Sequence, residues 1–314
     1  MRIIGPEELV FGVDNGDACR AYFRDYGLAE IALAGGGHRF EAVDGTAITV
    51  RDRDDPALPP ALASGASLRQ TIWGCEDQAT VEAILADLSR DRVVNRQADN
   101  SIATTDDVGF QIAFRRSTRR SVELDAEKVN SPGAPPARPA NEVGADEAAD
   151  ALPVTLSHVV YFCPDVPKME AFYVDRLKFI VTDRFSNIGP FLRPQANDDH
   201  HCLFMLQTPP HMQGLEHVAF HVQGPTAMML AGSRMIAKGY ESFWGPGRHK
   251  FGSNWFWYFN SPLGVHVEYD ADMDKHDADW SPRVVEAGPL TSQMFLFENV
   301  EKWFPGGGPP GGEH

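Results

Sequence analysis

The chain has 314 residues, of which 43% are hydrophobic and 10% aromatic, enough to build two domains with buried cores. Its 44 acidic and 28 basic residues give a formal net charge of −16. This charge argues against nucleic acid or an anionic membrane as the main partner, because binding to phosphate groups depends on Lys and Arg.

The amino terminus has no apolar signal core, and no stretch approaches the roughly 20 apolar residues of a membrane helix. The four cysteines are far apart and form no C-x-x-C pair, so neither a zinc ribbon nor a disulfide framework is indicated. We therefore expect a cytoplasmic protein with buried, reduced thiols and with no nucleic-acid or membrane partner.

The first 116 residues contain two copies of one pattern, a strand followed by a helix and several short strands. The first copy begins at Leu9 and predicts a helix near 17–26 and strands to about residue 51. The second copy begins at Leu68 and predicts a helix near 78–90 and strands to residue 114. We assign residues 1–116 to one domain.

Residues 117–153 interrupt this periodicity. They are rich in Pro, Ala and acidic residues, a composition typical of a linker. At the other end of the chain, residues 276–314 are expected to form a tail. Its last stretch, 305–314, is rich in Pro and Gly and is predicted to be disordered.

The same double pattern returns in residues 154–275, with predicted helices near 167–178 and 225–238. The equivalent starts Leu156 and Leu215 are 59 residues apart, as are Leu9 and Leu68, which indicates an internal duplication. The sequence thus predicts an α+β fold of four β-α-β-β-β modules in two domains. Each pair of modules is expected to form a partly closed, curved sheet around a cavity.

Ten of the 11 histidines lie at residue 158 or later, so chemistry that needs imidazole is expected in the second domain. His158 and His217 lie near the start of equivalent strands, and Glu268 interrupts the last apolar strand. A carboxylate in a buried strand needs a partner or a metal. Two imidazoles and one carboxylate with other positions open are the ligand set favoured by non-haem Fe(II) enzymes. His266 competes as a ligand, but the repeat favours the trio.

Three further residues are candidates for proton transfer. The alternating run around His201 places it on one face with Leu203 and Met205, His249 lies in a glycine-rich stretch, and Tyr258 lies in an aromatic strand. Each also fits a structural role, such as an exposed loop histidine or a core tyrosine with a hydrogen-bonded hydroxyl.

On these residues the second domain resembles the catalytic domain of type I extradiol ring-cleaving dioxygenases, members of the vicinal oxygen chelate superfamily. The resemblance implies that His158, His217 and Glu268 bind Fe(II). It also implies an acid/base role for His201, and contacts of His249 and Tyr258 with the substrate hydroxyls. The resemblance depends on the following run: Gly247-Arg248-His249, Trp257-Tyr258, Ser261-Pro262-Leu263-Gly264 and Glu268.

The activity implied by this resemblance is cleavage of a catecholic ring next to its two hydroxyls, with Fe(II) as cofactor and O₂ as co-substrate. Mn(II) accepts the same ligands. Phe191, Asn254 and Trp255 are candidate contacts for the aromatic substrate, a small aromatic diol. The family resemblance also implies a homo-oligomer.

The first domain resembles the non-catalytic half of the same family in its pattern alone. Laid on the second domain, its ligand positions fall near Glu7 to Leu9, on Arg69 and on Ala113. We therefore expect it to bind no metal and to have a structural role. Two alternatives stay open for the whole chain: a 4-hydroxyphenylpyruvate-dioxygenase-like or glyoxalase-like enzyme, and a metal-free protein that sequesters an aromatic ligand.

Overall fold

A computed structural model of the chain describes residues 1–144, 146 and 149–297. The stretch predicted to be disordered, 305–314, lies outside these residues. The described chain forms two curved sheets, one of eight strands and one of ten. The predicted four-module α+β architecture is confirmed.

The first sheet is built from two modules that meet at an antiparallel pair of central strands, and its spatial order is β2-β3-β4-β1-β5-β8-β7-β6. Its elements are β1 (Ile3–Val13), α1 (Gly16–Tyr26), β2 (Ala29–Ala32), β3 (His38–Glu41), β4 (Ala47–Asp52), β5 (Leu68–Cys75), α2 (Gln78–Leu88), β6 (Asn95–Arg96), β7 (Ile102–Thr105) and β8 (Gln111–Arg116).

The two helices of this half follow from local sequence signals. The buried side chains of α1 recur at helical spacing, and the helix ends at Gly27, whose φ of 104° is the left-handed conformation typical of a helix end. Helix α2 begins after Asp77, whose carboxylate accepts a hydrogen bond of 2.8 Å from the Thr80 N–H.

The second sheet repeats this plan and adds a strand at each edge, in the order β17-β10-β11-β12-β9-β13-β16-β15-β14-β18. A π-helical turn, Phe172–Arg176, extends its first helix. Its elements are β9 (Thr155–Cys163), α3 (Val166–Ala171), β10 (Ile180–Phe185), β11 (Gly189–Arg193), β12 (Leu203–Gln207), β13 (Gly214–His221), α4 (Pro225–Ala237), β14 (Ser242–His249), β15 (Trp255–Asn260), β16 (His266–Ala271), β17 (Arg283–Val285), α5 (Pro289–Ser292) and β18 (Gln293–Leu296).

The two added strands correct the expectation of a tail after residue 275. Strand β17 pairs in parallel with β10, at one edge of the sheet, and β18 pairs antiparallel with β14, at the other edge. The segment 283–296 therefore runs between the two edges and belongs to the second sheet.

One hydrophobic core extends through both halves of the chain. At its centre the rings of Tyr26 and Tyr269 stack at a centroid distance of 3.9 Å. The Tyr26 hydroxyl donates to the carbonyl of Glu268 at 2.7 Å, and the Tyr269 hydroxyl donates to the carbonyl of Tyr26 at 2.6 Å. Helix α1 of the first half therefore supports strand β16 of the second.

The described residues between β8 and β9 contain no helix or strand. The longest described helix, α4, has 13 residues, and none of the described helices combines the length and apolarity needed to cross a membrane.

Candidate metal centre and active-site cavity

Three buried side chains meet on the concave face of the second sheet. His158 lies on β9, His217 on β13 and Glu268 on β16, which are adjacent strands. The register places Ala219 of β13 opposite both His158 and Glu268. The two histidine Nε2 atoms are 3.2 Å apart, and the Glu268 Oε2 atom is 3.1 Å from Nε2 of His158 and 3.2 Å from Nε2 of His217.

This geometry fits one divalent cation. Ligands at right angles and about 2.1 Å from one ion stand about 3.0 Å apart. Neither oxygen of Glu268 accepts a hydrogen bond of regular geometry, although the side chain is fully buried, and the polar atoms that face Oε2 are the two histidine nitrogens. A buried carboxylate without a donor is costly unless an ion compensates it. Within the described residues, this trio is the one group of His, Cys, Asp or Glu whose ligand atoms converge in this way.

The charge state of the trio follows from burial and from its charged neighbours. Burial favours neutral Glu268, but His158 and His217 outweigh this effect and hold its pKa below the ordinary value. Burial also opposes the charge on His217, but the neighbouring Glu216 and Glu268 raise its pKa to about 9. A cation that binds here therefore displaces a proton from His217.

Glu216 supports the trio from behind, and sequence reasoning missed it. Its carboxylate accepts hydrogen bonds from Nδ1 of His217 and, at 2.7 Å, from Nδ1 of His266. Such a bond fixes the tautomer of a ligating histidine. His266, the competing ligand candidate, is thereby engaged by Glu216, and its ring stacks on Phe243 at 3.7 Å. An acid directly before a histidine in an apolar strand was the available signal.

Ser157 and Asp270 have the same role beside His158. The Ser157 hydroxyl lies 2.9 Å from Nδ1 of His158 and donates to Asp270 at 3.2 Å. Asp270 also forms an ion pair with His221, with 2.7 Å between its Oδ1 atom and Nδ1 of His221. Both histidines of the trio therefore have an oriented partner on the nitrogen that faces away from the ligand position.

The two histidines of the trio, His158 and His217, line one end of a cavity of about 590 Å³, measured with its opening. His201 and His249 line the metal-proximal end together with Tyr258. The opposite end is apolar, and Ala287 of the carboxyl-terminal segment is part of its wall. Those apolar wall residues are Val160, Phe185, Ile188, Phe191, Phe204, Leu206, Phe251 and Ala287.

The three residues predicted for proton transfer lie around the trio. The His201 ring is 4.3 Å from the His158 ring, and Nε2 of His249 is 4.0 Å from Oε1 of Glu268. The Tyr258 hydroxyl is 3.5 Å from Nε2 of His249. Burial lowers the pKa of His249 to about 4 and that of His201 well below its ordinary value, and burial also raises the pKa of Tyr258. At neutral pH both histidines are uncharged and Tyr258 keeps its proton.

The predicted face of His201 was wrong in one respect. Leu203 and Met205 pack in the main core, whereas Phe204 and Leu206 line the cavity. Strand β12 begins only at Leu203, so the two-residue alternation does not extend back to His201.

The three predicted substrate contacts are placed differently. Phe191 lines the cavity and stacks on Phe204 at 3.9 Å. Asn254 is fully buried but lies outside the cavity wall, and neither amide atom has a hydrogen-bond partner. Trp255 lies on the opposite face of β15 from Tyr258 and packs against Phe295 at 5.0 Å, so the structure does not bring it to the cavity.

The first sheet carries different residues at the corresponding positions. Glu8 and Ala113 lie opposite Ile72 there, as His158 and Glu268 lie opposite Ala219. The position of His217, two residues before Ala219, corresponds to Gln70, two residues before Ile72. The predicted positions near Glu7 to Leu9 and on Ala113 agree with this register, but Arg69 is one residue off, because Gln70 is the side chain on the concave face.

Comparison with known proteins finds a matching family and a related sequence for part of the chain. Residues 155–269 match the family described as Glyoxalase/Bleomycin resistance protein/Dioxygenase superfamily. Metapyrocatechase 2 from Cupriavidus necator is 37% identical over 123 residues, which cover 39% of this chain and 38% of that protein. The similarity in sequence to this relative therefore spans well under half of its length.

Two solved structures resemble the chain along nearly its whole length. The Mn(II)-bound glyoxalase from Novosphingobium aromaticivorans is 22% identical with a TM-score of 0.75, covering 99% of this chain and 97% of that chain. Homoprotocatechuate 2,3-dioxygenase from Arthrobacter globiformis is 16% identical with a TM-score of 0.71, covering 98% of this chain and 92% of that chain. At these identities the likeness establishes the fold.

Proposed function

We propose that the protein is an extradiol dioxygenase, because residues 155–269 match the family described as Glyoxalase/Bleomycin resistance protein/Dioxygenase superfamily and carry the site described above. It opens the ring of an aromatic diol next to the two hydroxyls and consumes O₂. One observation carries the proposal: the unpartnered carboxylate of Glu268 meets two histidine Nε2 atoms at the same cavity end as His201, His249 and Tyr258. The 37% identity to a metapyrocatechase over 123 residues supports it.

The metal in this proposal is Fe(II), with Mn(II) as the alternative. Held by His158, His217 and Glu268, it supplies open positions at which a diol and O₂ can be brought together. Both ions accept nitrogen and oxygen ligands, so the donor set alone does not select between them.

The chain's own residues then handle the protons. Neutral His249 accepts a proton from a substrate hydroxyl, and the hydroxyl of Tyr258 donates a hydrogen bond to the oxygen that this leaves. His201 lies beside His158, whereas His249 lies near Glu268 and the Tyr258 ring is 4.8 Å from the His217 ring. His201 thus lies on one side of the trio and the pair His249 and Tyr258 on another, and the apolar walls limit access of water.

The cavity walls define the substrate class more narrowly. Among the described residues that line the cavity, none is Lys or Arg, and the end remote from the metal is formed by phenylalanine and aliphatic side chains. A charged substituent buried there has no counter-ion, which is costly. The proposed substrate is therefore a catechol with an uncharged, apolar substituent.

Oxygen uptake tests the proposal. Protein loaded anaerobically with Fe(II) is mixed with O₂ and either 3-phenylcatechol, 3-methylcatechol or the carboxylated 3,4-dihydroxyphenylacetate. We expect one O₂ consumed per diol, a yellow ring-fission product, and kcat/KM at least about tenfold higher for the apolar diols. No O₂ uptake with any diol contradicts the proposal. Full turnover in both H249F and Y258F contradicts the assigned proton-handling roles and favours another reaction on the same fold.

A further inference from the structure

A row of buried hydrogen bonds connects strand β10 to the cavity. The Asp183 carboxylate lies 2.8 Å from Nε2 of His200, and Nδ1 of His200 lies 3.0 Å from Nδ1 of His201. Asp183 and His200 are fully buried, and His201 is 4% exposed. With Nδ1 of His201 used in this way, its Nε2 atom is the one available to the cavity that it lines.

The direction of each bond follows from Asp183. Arg283, on β17, donates its backbone N–H to Oδ1 at 2.7 Å, and its guanidinium donates to both carboxylate oxygens. Burial raises the pKa of Asp183, but His200 and Arg283 outweigh this effect and hold it below its ordinary value. Asp183 is thus an ionised group that can only accept, so Nε2 of His200 carries the proton that is donated to it.

The proton on Nε2 of His200 also determines which nitrogen of His201 carries its proton. Burial lowers the pKa of His200, so its ring is neutral and carries one proton. With that proton on Nε2, Nδ1 of His200 is an acceptor, and His201 must donate from its own Nδ1. The arrangement is rigid: the His200 N–H donates to the Asp274 carbonyl at 2.8 Å, and a Cβ on Gly252 would lie 3.1 Å from the His200 ring.

We infer that Asp183 and His200 are positioning residues that hold His201 in its Nδ1–H tautomer, with a proton-free Nε2 directed at the cavity. The structural claim is independent of the reaction. Its catalytic consequence rests on the proposed function: Nε2 of His201 accepts the proton of the second substrate hydroxyl, the first having gone to His249, and afterwards returns it to the ring-opened product.

Substitution of Asp183 by Asn is expected to reverse the direction of the hydrogen bonds from residue 183 to His201. In D183N the amide oxygen retains the bond from the Arg283 backbone, and the NH₂ group then faces His200. Nε2 of His200 becomes the acceptor, its Nδ1 becomes the donor, and His201 carries its proton on Nε2. Two matched control variants keep the Asp183–His200 hydrogen bond. R283Q removes the guanidinium that donates to Asp183. H276F replaces the imidazole that packs 5.4 Å from His200 by another aromatic ring.

Nitrogen-15 NMR reads the tautomers directly. Long-range ¹H–¹⁵N spectra of the full chain, labelled in histidine and loaded with diamagnetic Zn²⁺, are recorded for each variant, with His201 assigned by its loss in H201N. We expect Nδ1–H for His201 in the unsubstituted protein, R283Q and H276F, and Nε2–H in D183N. In Fe(II)-loaded D183N, kcat falls by about 10- to 100-fold with a smaller change in KM.

An Nε2–H tautomer of His201 in the unsubstituted protein overturns the inference, whether or not D183N folds. An unchanged tautomer in folded D183N also overturns it. A protein that shows the expected tautomers yet consumes no O₂ with any diol leaves the inference standing and contradicts the proposed function alone, so the two failures are distinguishable.

Discussion

The concave faces of the two sheets have the same strand register, but they differ in whether a buried carboxylate has a donor within the protein. Glu8 in the first sheet has the position of His158 in the second, and its carboxylate accepts from the Thr49 hydroxyl at 2.6 Å and pairs with Arg115 at 3.0 Å. Glu268 in the second sheet has neither kind of donor. The first face satisfies its carboxylate within the protein, whereas the second leaves one free for an ion.

The duplicated scaffold by itself therefore does not make a metal centre. The position of Glu268 is Ala113 in the first sheet, and that of Asp270, two residues later, is Arg115. An arginine there neutralises Glu8, while an aspartate there orients a ligating histidine through Ser157. The first half instead supports the second, through Tyr26 on the Glu268 carbonyl.

The largest effect is expected from removing the unpartnered carboxylate. E268Q eliminates the charged ligand and leaves a buried amide, so bound metal and turnover are both lost. The matched change E8Q in the first half retains full metal content, because Glu8 is compensated by Arg115. Metal analysis of both variants after identical loading checks this. Metal loss in E8Q, or metal retained in E268Q, would contradict the assignment of the metal site to the second sheet alone.

A smaller loss is expected from the acid behind His217. In E216Q the carboxylate that orders Nδ1 of His217 is gone, so metal affinity falls by about 10- to 100-fold. E170Q removes an acid that pairs with Arg184 near the surface and serves as the control, with unchanged affinity. Competition with a chelating dye measures both. Equal affinities in the two variants would show that Glu216 does not orient His217.

A pH-dependent effect is expected at His221, which lies between Asp199 and Asp270. Burial opposes its charge, but the two aspartates outweigh burial and raise its pKa to about 10. Because the pKa of His221 is higher in the folded than in the unfolded state, its ion pairs with the two aspartates contribute their full stabilisation below about pH 6.5. This contribution is lost as the pH approaches 10. H221Q is therefore destabilised by about 2 kcal/mol at pH 6, with the difference shrinking towards pH 10. Chemical unfolding across that range checks the sign, which a growing difference would refute.

The smallest effect is expected at the contact between the halves. Y26F removes the buried hydrogen bond to the Glu268 carbonyl, at a cost of about 1–2 kcal/mol. Y22F is a matched control one turn earlier on α1, because the Tyr22 hydroxyl is buried without a partner and its removal costs little. Denaturant midpoints separate the two. Equal stabilities would mean that the first half does not support β16 in this way.

Much of this arrangement was predictable from the sequence. The 59-residue spacing predicted the pairing of modules because each module begins with a central strand of its sheet. His158, His217 and Glu268 were recognisable because polar residues interrupted apolar strands at equivalent places. The structure brings these three together with His201, His249 and Tyr258 at one end of a cavity.

Other features of the fold and the site could not be predicted from the sequence. Strands β17 and β18 are three and four residues long, and they join the sheet by backbone pairing rather than through an apolar alternation. Trp255 was taken for a cavity residue because β15 is aromatic on both faces. Its partner on the outer face, Trp257, packs against Gly232 of α4, where a Cβ would lie 2.0 Å from the indole. Aromatic content alone cannot distinguish two buried faces.

Anomalous diffraction at the iron edge, on crystals of the Fe(II)-loaded protein, tests the central claim most directly. We expect one peak per chain, within bonding distance of Nε2 of His158, Nε2 of His217 and the Glu268 carboxylate, and no peak on the concave face that carries Glu8. A peak beside Glu8, or no peak at the trio under conditions of full loading, would contradict it.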